Sequence, residues 1–186
     1  MIKGKSRIAS INGYVRKQFC ESKKEKMMIR KQTIINAEIN YMLGSMGHSD
    51  ILLITDAGFP IPKDAWLIDL AITRDFPDLI SVLDIIGKEF IAEKIIYADY
   101  VPSHNSPLNK ELKRIFSDCE HELIPHEMMM TEIRDNAKGF IRTGGICLWG
   151  NIALISGIDV DIWFSKPDTS MPAAYKEQFN HIRKTK

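Results

Sequence analysis

The stretch Gly47-His48-Ser49-Asp50-Ile51-Leu52-Leu53-Ile54-Thr55-Asp56-Ala57-Gly58-Phe59-Pro60-Ile61-Pro62 decides the fold. Its centre, Ile51 to Thr55, is a short apolar run rich in β-branched residues, and turn-forming Asp, Gly and Pro close it between Asp56 and Pro62. That combination reads as a central parallel strand. His48 then falls on the loop leading into the strand. Asp56 falls at its carboxyl end, where open α/β sheets place ligand-binding groups. An imidazole and a carboxylate are the parts of an acid-base site, yet the strand holds these two apart. They either flank one small substrate or meet across a subunit boundary.

Working outward, the spacing of Ile35, Ile39, Met42 and Leu43 predicts a helix over residues 34–43, ended by Gly44 or Gly47 and feeding into the His48 loop. After the strand, residues 68–72 read as a second short strand, with Asp69 and Arg74 in or near it. Asp78 caps a helix over 79–87 whose Leu79, Val82, Leu83 and Ile86 recur at helical spacing. Residues 94–98 read as a strand, 99–107 as a polar loop, and 109–116 as an amphipathic helix. A strand over 122–125, a helix over 127–138, and strands over 140–142 and 151–156 complete the pattern. Such alternation is that of a layered α/β domain.

The chain has 186 residues, 45% of them apolar, which suits one domain with a substantial core. Its formal net charge of +1 gives no overall field toward nucleic acid or anionic membrane. A basic arm covers 1–33, with Lys23, Lys24, Lys26, Arg30 and Lys31 clustered, but it carries no nucleic-acid motif and no signal-type apolar core, and reads as a solvated extension. Cys20, Cys119 and Cys147 are odd in number and lack metal-type spacing, so a disulfide framework is not expected. Cys147 reads as a small core residue, and His121 and His181 as surface residues. No apolar run reaches the roughly 20 residues that span a bilayer, so the expected location is the cytoplasm. Residues 161–186 form an extension containing Trp163, Phe164 and Tyr175, too aromatic for an inert linker, and expected to dock on the domain or on a neighbouring subunit.

Three segments together carry a family resemblance. Met46-Gly47-His48-Ser49-Asp50 followed by Thr55-Asp56-Ala57-Gly58-Phe59-Pro60-Ile61-Pro62 is one, and Tyr100 to Leu108, with His104-Asn105-Ser106-Pro107, is another. Ile141-Arg142-Thr143-Gly144 followed by Trp149-Gly150-Asn151-Ile152 is the third. They resemble the signatures of the D-ribose pyranase and L-fucose mutarotase (RbsD/FucU) family across residues 34–160. The resemblance implies a three-layer α/β/α domain with a mainly parallel or mixed sheet. It also implies a ring-shaped homo-oligomer, often a decamer, whose sites are completed by a neighbouring subunit. The implied ligand is a free monosaccharide of the ribose or fucose class.

By the same resemblance, His48 aligns with the catalytic histidine, as proton donor to the ring oxygen, and Asp56 with the sugar-binding aspartate. His126 resembles a second histidine of the site, and Asn151 the asparagine of a Tyr-x-Asn motif, its amide able to donate to and accept from vicinal hydroxyls. Trp149 stands where the family usually has tyrosine; indole stacks on a sugar face but accepts no hydrogen bond. Gly145 replaces a usual glutamate and Met130 a usual lysine. Arg142 is open between substrate binding and a structural ion pair, while His104 and Asn105 are expected to shape a loop at or near a subunit interface. Interconverting cyclic sugar forms needs only proton transfer, for which imidazole is suited near neutral pH, so no cofactor or metal is expected. The competing expectation is a non-catalytic sugar-binding or transport-associated protein of the same fold.

Overall fold

A computed structural model describes residues 34–173 and Lys176. The basic arm over 1–33 and the end of the carboxyl-terminal extension lie outside the described residues, with Cys20, Tyr175 and His181 among them. Six strands form one sheet: β1 Ile51–Thr55, β2 Leu67–Asp69, β3 Ala92–Ala98, β4 Glu120–Ile124, β5 Gly139–Arg142 and β6 Ile152–Ser156. Their order is β2-β5-β1-β6-β3-β4. Neighbours β2, β5 and β1 run parallel, as do β3 and β4, whereas β6 lies antiparallel to both β1 and β3. The sheet is therefore mixed.

Successive side chains of a strand point to opposite faces, and β1 uses both. Leu52 and Ile54 enter a large core built with Ile39 and Met42, and with Leu79, Leu83, Leu108 and Leu112. Leu53 enters a smaller one with Phe59, Met129 and Phe140. The three β1 side chains are fully buried, each contributing about 1.5–3 kcal/mol relative to exposure. Helices α1 Ala37–Gly44, α2 Leu79–Glu89, α3 Val101–His104 and α4 Ser106–Ile115 carry the large-core residues. The opposite face is covered by α5 His126–Met128, a π turn over Met129–Ile133 and α6 Arg134–Asn136. Helices thus lie on both faces of the sheet, as the three-layer expectation requires.

Several local expectations are corrected. The second strand ends at Asp69, and the chain then turns back on itself, with Ile72 N donating to Phe76 O at 3.1 Å. The polar loop over 99–107 contains α3, and α4 starts earlier than its apolar spacing suggests because Asn105 caps Leu108 N at 3.3 Å and Pro107 sits in its first turn. The helix expected over 127–138 is interrupted by the π turn. His121 is half-buried: its Nε2 meets Phe116 O at 2.8 Å and its Nδ1 the Tyr97 hydroxyl at 3.2 Å. In the extension, α7 Val160–Trp163 carries Trp163, which is 62% exposed.

Gly144 follows β5 and is enclosed by the chain over 73–77. It donates to Pro77 O at 2.9 Å and accepts from Asp75 N at 2.7 Å. A Cβ at this position would come within 2.6 Å of Phe76 O and closer still to Thr73 O, both backbone atoms. At Gly139 the obstruction is only the flexible Met42 side chain, with Sδ at 2.9 Å. Gly144→Ala is therefore expected to cost about 1–3 kcal/mol or more, and Gly139→Ala clearly less, as read from denaturant unfolding of the two variants side by side.

Candidate functional site

The carboxyl end of β1 meets the turn that joins β5 to β6. Thr143 sits at the junction, its backbone N and Oγ1 both donating to Thr55 O at 3.0 and 2.9 Å. Gly145 O then accepts from Ala57 N at 2.9 Å. These contacts bring Asn151, only 5% exposed, beside Asp56. The Asp56 backbone N donates to Asn151 Oδ1 at 3.2 Å, and Asn151 Nδ2 donates to Asp56 Oδ2 at 3.3 Å. The other carboxylate oxygen accepts from Gly58 N at 2.9 Å. Burial pushes the Asp56 carboxyl up from its ordinary value, opposed by those hydrogen bonds and by the nearby His126 charge.

Asp56, Asn151 and His126 form the polar side of a pocket of about 350 Å³, within the small-ligand range of roughly 300–1,000 Å³. Phe59, Met130, Leu148 and Trp149 form its apolar side. Such a division matches a small polyol with one hydroxyl-rich edge and one C–H face. Cys147 belongs to this wall as well as to the edge of the core, which corrects its reading as a core residue alone. Burial pushes its thiol up, with an Asn105 hydrogen bond opposing.

Trp149 holds a left-handed backbone conformation, φ 57°, uncommon for a large side chain. Its ring is braced from behind by Tyr100, with centroids 5.4 Å apart, and by His104 at 5.7 Å. Ser103 Oγ lies 2.7 Å from His104 Nδ1. Asn105 Nδ2 donates to Leu148 O at 2.9 Å, tying the same turn to the start of α4. His104 and Asn105 thus shape the wall of the pocket rather than line it.

Of the residues singled out from sequence, Asp56, His126, Trp149 and Asn151 come together here, with Met130 and Gly145 also in the lining. His48 and Arg142 do not. Arg142 forms a two-pronged pair with Asp69, its register partner on β2, through Nε at 3.0 Å and through Nη2. His48 precedes β1, at the opposite edge of the sheet, where its Nε2 is 2.9 Å from Glu93 Oε2. Glu93, Phe59 and Tyr100 were not singled out. Phe59 and Tyr100 stand within the quoted motifs, but no pattern in the residues around Glu93 marks it. Among the described residues no group of three or more His, Cys, Asp or Glu is placed to hold a metal ion.

Comparison with known proteins identifies the family. The sequence profile of the RbsD / FucU transport protein family matches residues 28–159. The chain is 44% identical to D-ribose pyranase 2 of Rubrobacter xylanophilus over 150 residues, covering 81% of this chain and 97% of the relative. It is 41% identical to D-ribose pyranase 1 of Streptomyces griseus, covering 79% and 97%. Among solved structures, RbsD of Bacillus subtilis complexed with D-ribose superposes with a TM-score of 0.64 at 31% identity, over 67% of this chain and 95% of that one. A fucose mutarotase from Streptococcus pneumoniae in complex with L-fucose shares the fold, with a TM-score of 0.57 at 19% identity. With the family profile spanning residues 28–159 and relatives 41–44% identical over about four fifths of its length, the chain belongs to the RbsD/FucU family.

Proposed function

We propose that this chain is a sugar pyranase and mutarotase, an isomerase that interconverts the cyclic forms of a free monosaccharide of the ribose or fucose class. The observation that carries the reading is the pocket at the carboxyl edge of the sheet, where Asp56, Asn151 and His126 face Trp149. It is supported by the D-ribose pyranase relatives at 41–44% identity.

Ring opening needs the anomeric hydroxyl to give up a proton, the bond from the anomeric carbon to the ring oxygen to break, and the ring oxygen to take a proton. Closure of the open aldehyde reverses these steps onto the same or another hydroxyl. No electron or group leaves the sugar, so proton transfer suffices. In this reading Asp56 and Asn151 grip hydroxyls, Trp149 covers the C–H face, and His126 is the hydroxyl partner or opposing base that takes the anomeric proton. His48 provides the proton to the ring oxygen. The five-residue strand β1 spans roughly 16 Å, so His48 and Asp56 of one chain do not reach one sugar. The His48 that serves each pocket therefore comes from a neighbouring copy in a ring-shaped oligomer. The cytoplasm is the proposed location; among the described residues no helix is long and apolar enough to cross a membrane.

Saturation-transfer NMR of anomer exchange tests the reading. The native chain should accelerate exchange in ribose, fucose or a related free sugar, and His48→Ala should lose on the order of 10²–10⁴-fold. Binding without acceleration would instead favour a non-catalytic sugar-binding protein.

Shared sites make a second prediction. His48→Ala and Asp56→Asn chains should each be inactive, yet oligomers reassembled from an equal mixture should regain up to about a quarter of native activity, because random mixing pairs two intact halves at that frequency. A monomer by light scattering at micromolar concentration, or no recovery on mixing, overturns the shared site.

The raised Asp56 carboxyl gives a pH signature. A group whose folded value lies above its unfolded one contributes stability below the unfolded value, 3.8 here, and loses it as pH rises through the folded value. The stability of the native chain minus that of Asp56→Asn should therefore fall as the pH rises from the unfolded value of 3.8 through the higher folded one, as measured by calorimetry.

A further inference from the structure

We propose that Glu93 is the positioning residue of His48. Its carboxylate accepts from His48 Nε2–H and so fixes the ring, leaving Nδ1–H as the donor to the sugar's ring oxygen and Nε2–H as the tautomer of the neutral ring that results. This rests on the reading of His48 as the acid-base group.

The contact itself is simple: Glu93 Oε2 lies 2.9 Å from His48 Nε2. An ionised carboxylate only accepts, so the facing ring nitrogen must donate. What separates this pair from a chance surface contact is the backbone that builds it. β3 pairs with β6 through Ala92 opposite Ser156 and Lys94 opposite Ile155. Glu93 is thus an extra residue in β3, at a bulge, and bulges re-aim side chains next to functional sites. Room for it depends on Gly157, where an added Cβ would stand 3.1 Å from Glu93 Cβ and 3.2 Å from Glu93 N.

The histidine side is equally constrained. Ser49 adopts a left-handed conformation, φ 68°, and its N donates to Ser156 O at 2.8 Å. Ser156 N donates back to Asp50 O at 2.9 Å. The Asp50 carboxylate accepts from Gly47 N at 2.6 Å and from Lys138 Nζ, which also donates to Ser45 O at 2.7 Å. His48 therefore stands on a turn fastened on both sides. Of the charged groups near it, Asp50 is engaged by Lys138 and Glu93 by His48 itself.

Stability does not account for this construction. The side chains are 43% and 28% exposed, and so exposed an ion pair adds little to stability. A bulge and a left-handed serine are not needed for so weak an interaction, whereas they serve to fix a ring orientation and a tautomer. Carboxylates perform that service for functional histidines elsewhere, a buried one being worth on the order of 10⁴ in rate. Water competes for a half-exposed pair, so a smaller effect, on the order of tenfold, is expected here.

The test uses the full-length oligomer and the variants Glu93→Ala, Glu93→Gln and His48→Ala. Nitrogen-15 NMR of labelled histidine reads the His48 tautomer, the signal being identified by its absence from His48→Ala. Saturation transfer reads anomer exchange against sugar concentration. Glu93→Ala should cut exchange at saturating sugar about tenfold, with half-saturation unchanged, and should mix the tautomers. Glu93→Gln, whose amide oxygen still accepts from Nε2–H, should keep the tautomer and retain more of the rate. A native His48 whose neutral form carries its proton on Nδ1, or a Glu93→Ala variant that changes rate without tautomer or tautomer without rate, overturns the assignment. Loss of exchange in His48→Ala alone, with Glu93→Ala unaffected, sinks only the role of Glu93. Full exchange in His48→Ala removes the catalytic role of His48 and the inference with it.

Discussion

The direction of β6 is the constraint on which the rest of the structure depends. Because β6 runs antiparallel to both of its neighbours, its first residues lie at the carboxyl ends of β1 and β3 and its last residues at their amino ends. The connection from β5 must then arrive beside Asp56, which is how Asn151 reaches that carboxylate. The loop after β3, with Tyr100 and His104, and the helix start after β4, with His126, open at the same edge. At the other edge gather the loop before β1, the start of β3 and the residues after β6, which are those of His48, Glu93 and Gly157. One antiparallel strand in an otherwise parallel arrangement thus sorts the chemistry into two groups.

Each group is held by unfavourable local choices that its surroundings offset. A carboxylate half-removed from water is costly, and Asp56 is retained by donors from Gly58 and Asn151. Trp149 sits in a backbone region that a large side chain enters at a cost of order 1–3 kcal/mol. Its neighbours supply the compensation: Tyr100 and His104 pack against the ring, and Asn105 fastens the adjoining carbonyl. Rigidity of this kind has a use in a sugar site. Hydroxyls are recognised by direction as much as by contact, and a pocket wall that is already in place need not be ordered on binding.

Much of the sheet was legible because burial writes itself into composition. Ile51 to Thr55 reads as a buried strand from its apolar run and its Asp-Gly-Pro exit, and α2 from Asp78 and the helical spacing after it. The elements misread are those governed by capping rather than by apolar period. The side chain of Asn105 starts α4 where the hydrophobic pattern is silent, and Pro102 disguises α3 as loop. For the site, Asp56, His126, Trp149 and Asn151 were legible through motif resemblance. No spacing rule connects residues separated by up to 95 positions, as Asp56 and Asn151 are. Glu93 was illegible for a different reason. A bulge shifts register by one residue, so the alternation that would assign Glu93 to a face of the sheet gives no hint that it turns toward His48.

Division of the chemistry between two edges also bears on how the protein is controlled. Under the proposed reading, one copy contributes a pocket and another the proton donor, so the competent site forms only as copies associate. Its population then follows mass action in the concentration of the chain itself. The rim of the pocket suits such a contact: Ile146 and Leu148 are 62% and 69% exposed beside a largely preformed cavity, an apolar margin of the kind that marks an interaction surface. On that view the same apolar side chains would serve two purposes, excluding water from the sugar's C–H face and receiving the neighbour that carries His48. A polar substitution at the rim would then weaken assembly and catalysis together, whereas one at Asp56 would remove catalysis while leaving the contact between copies intact.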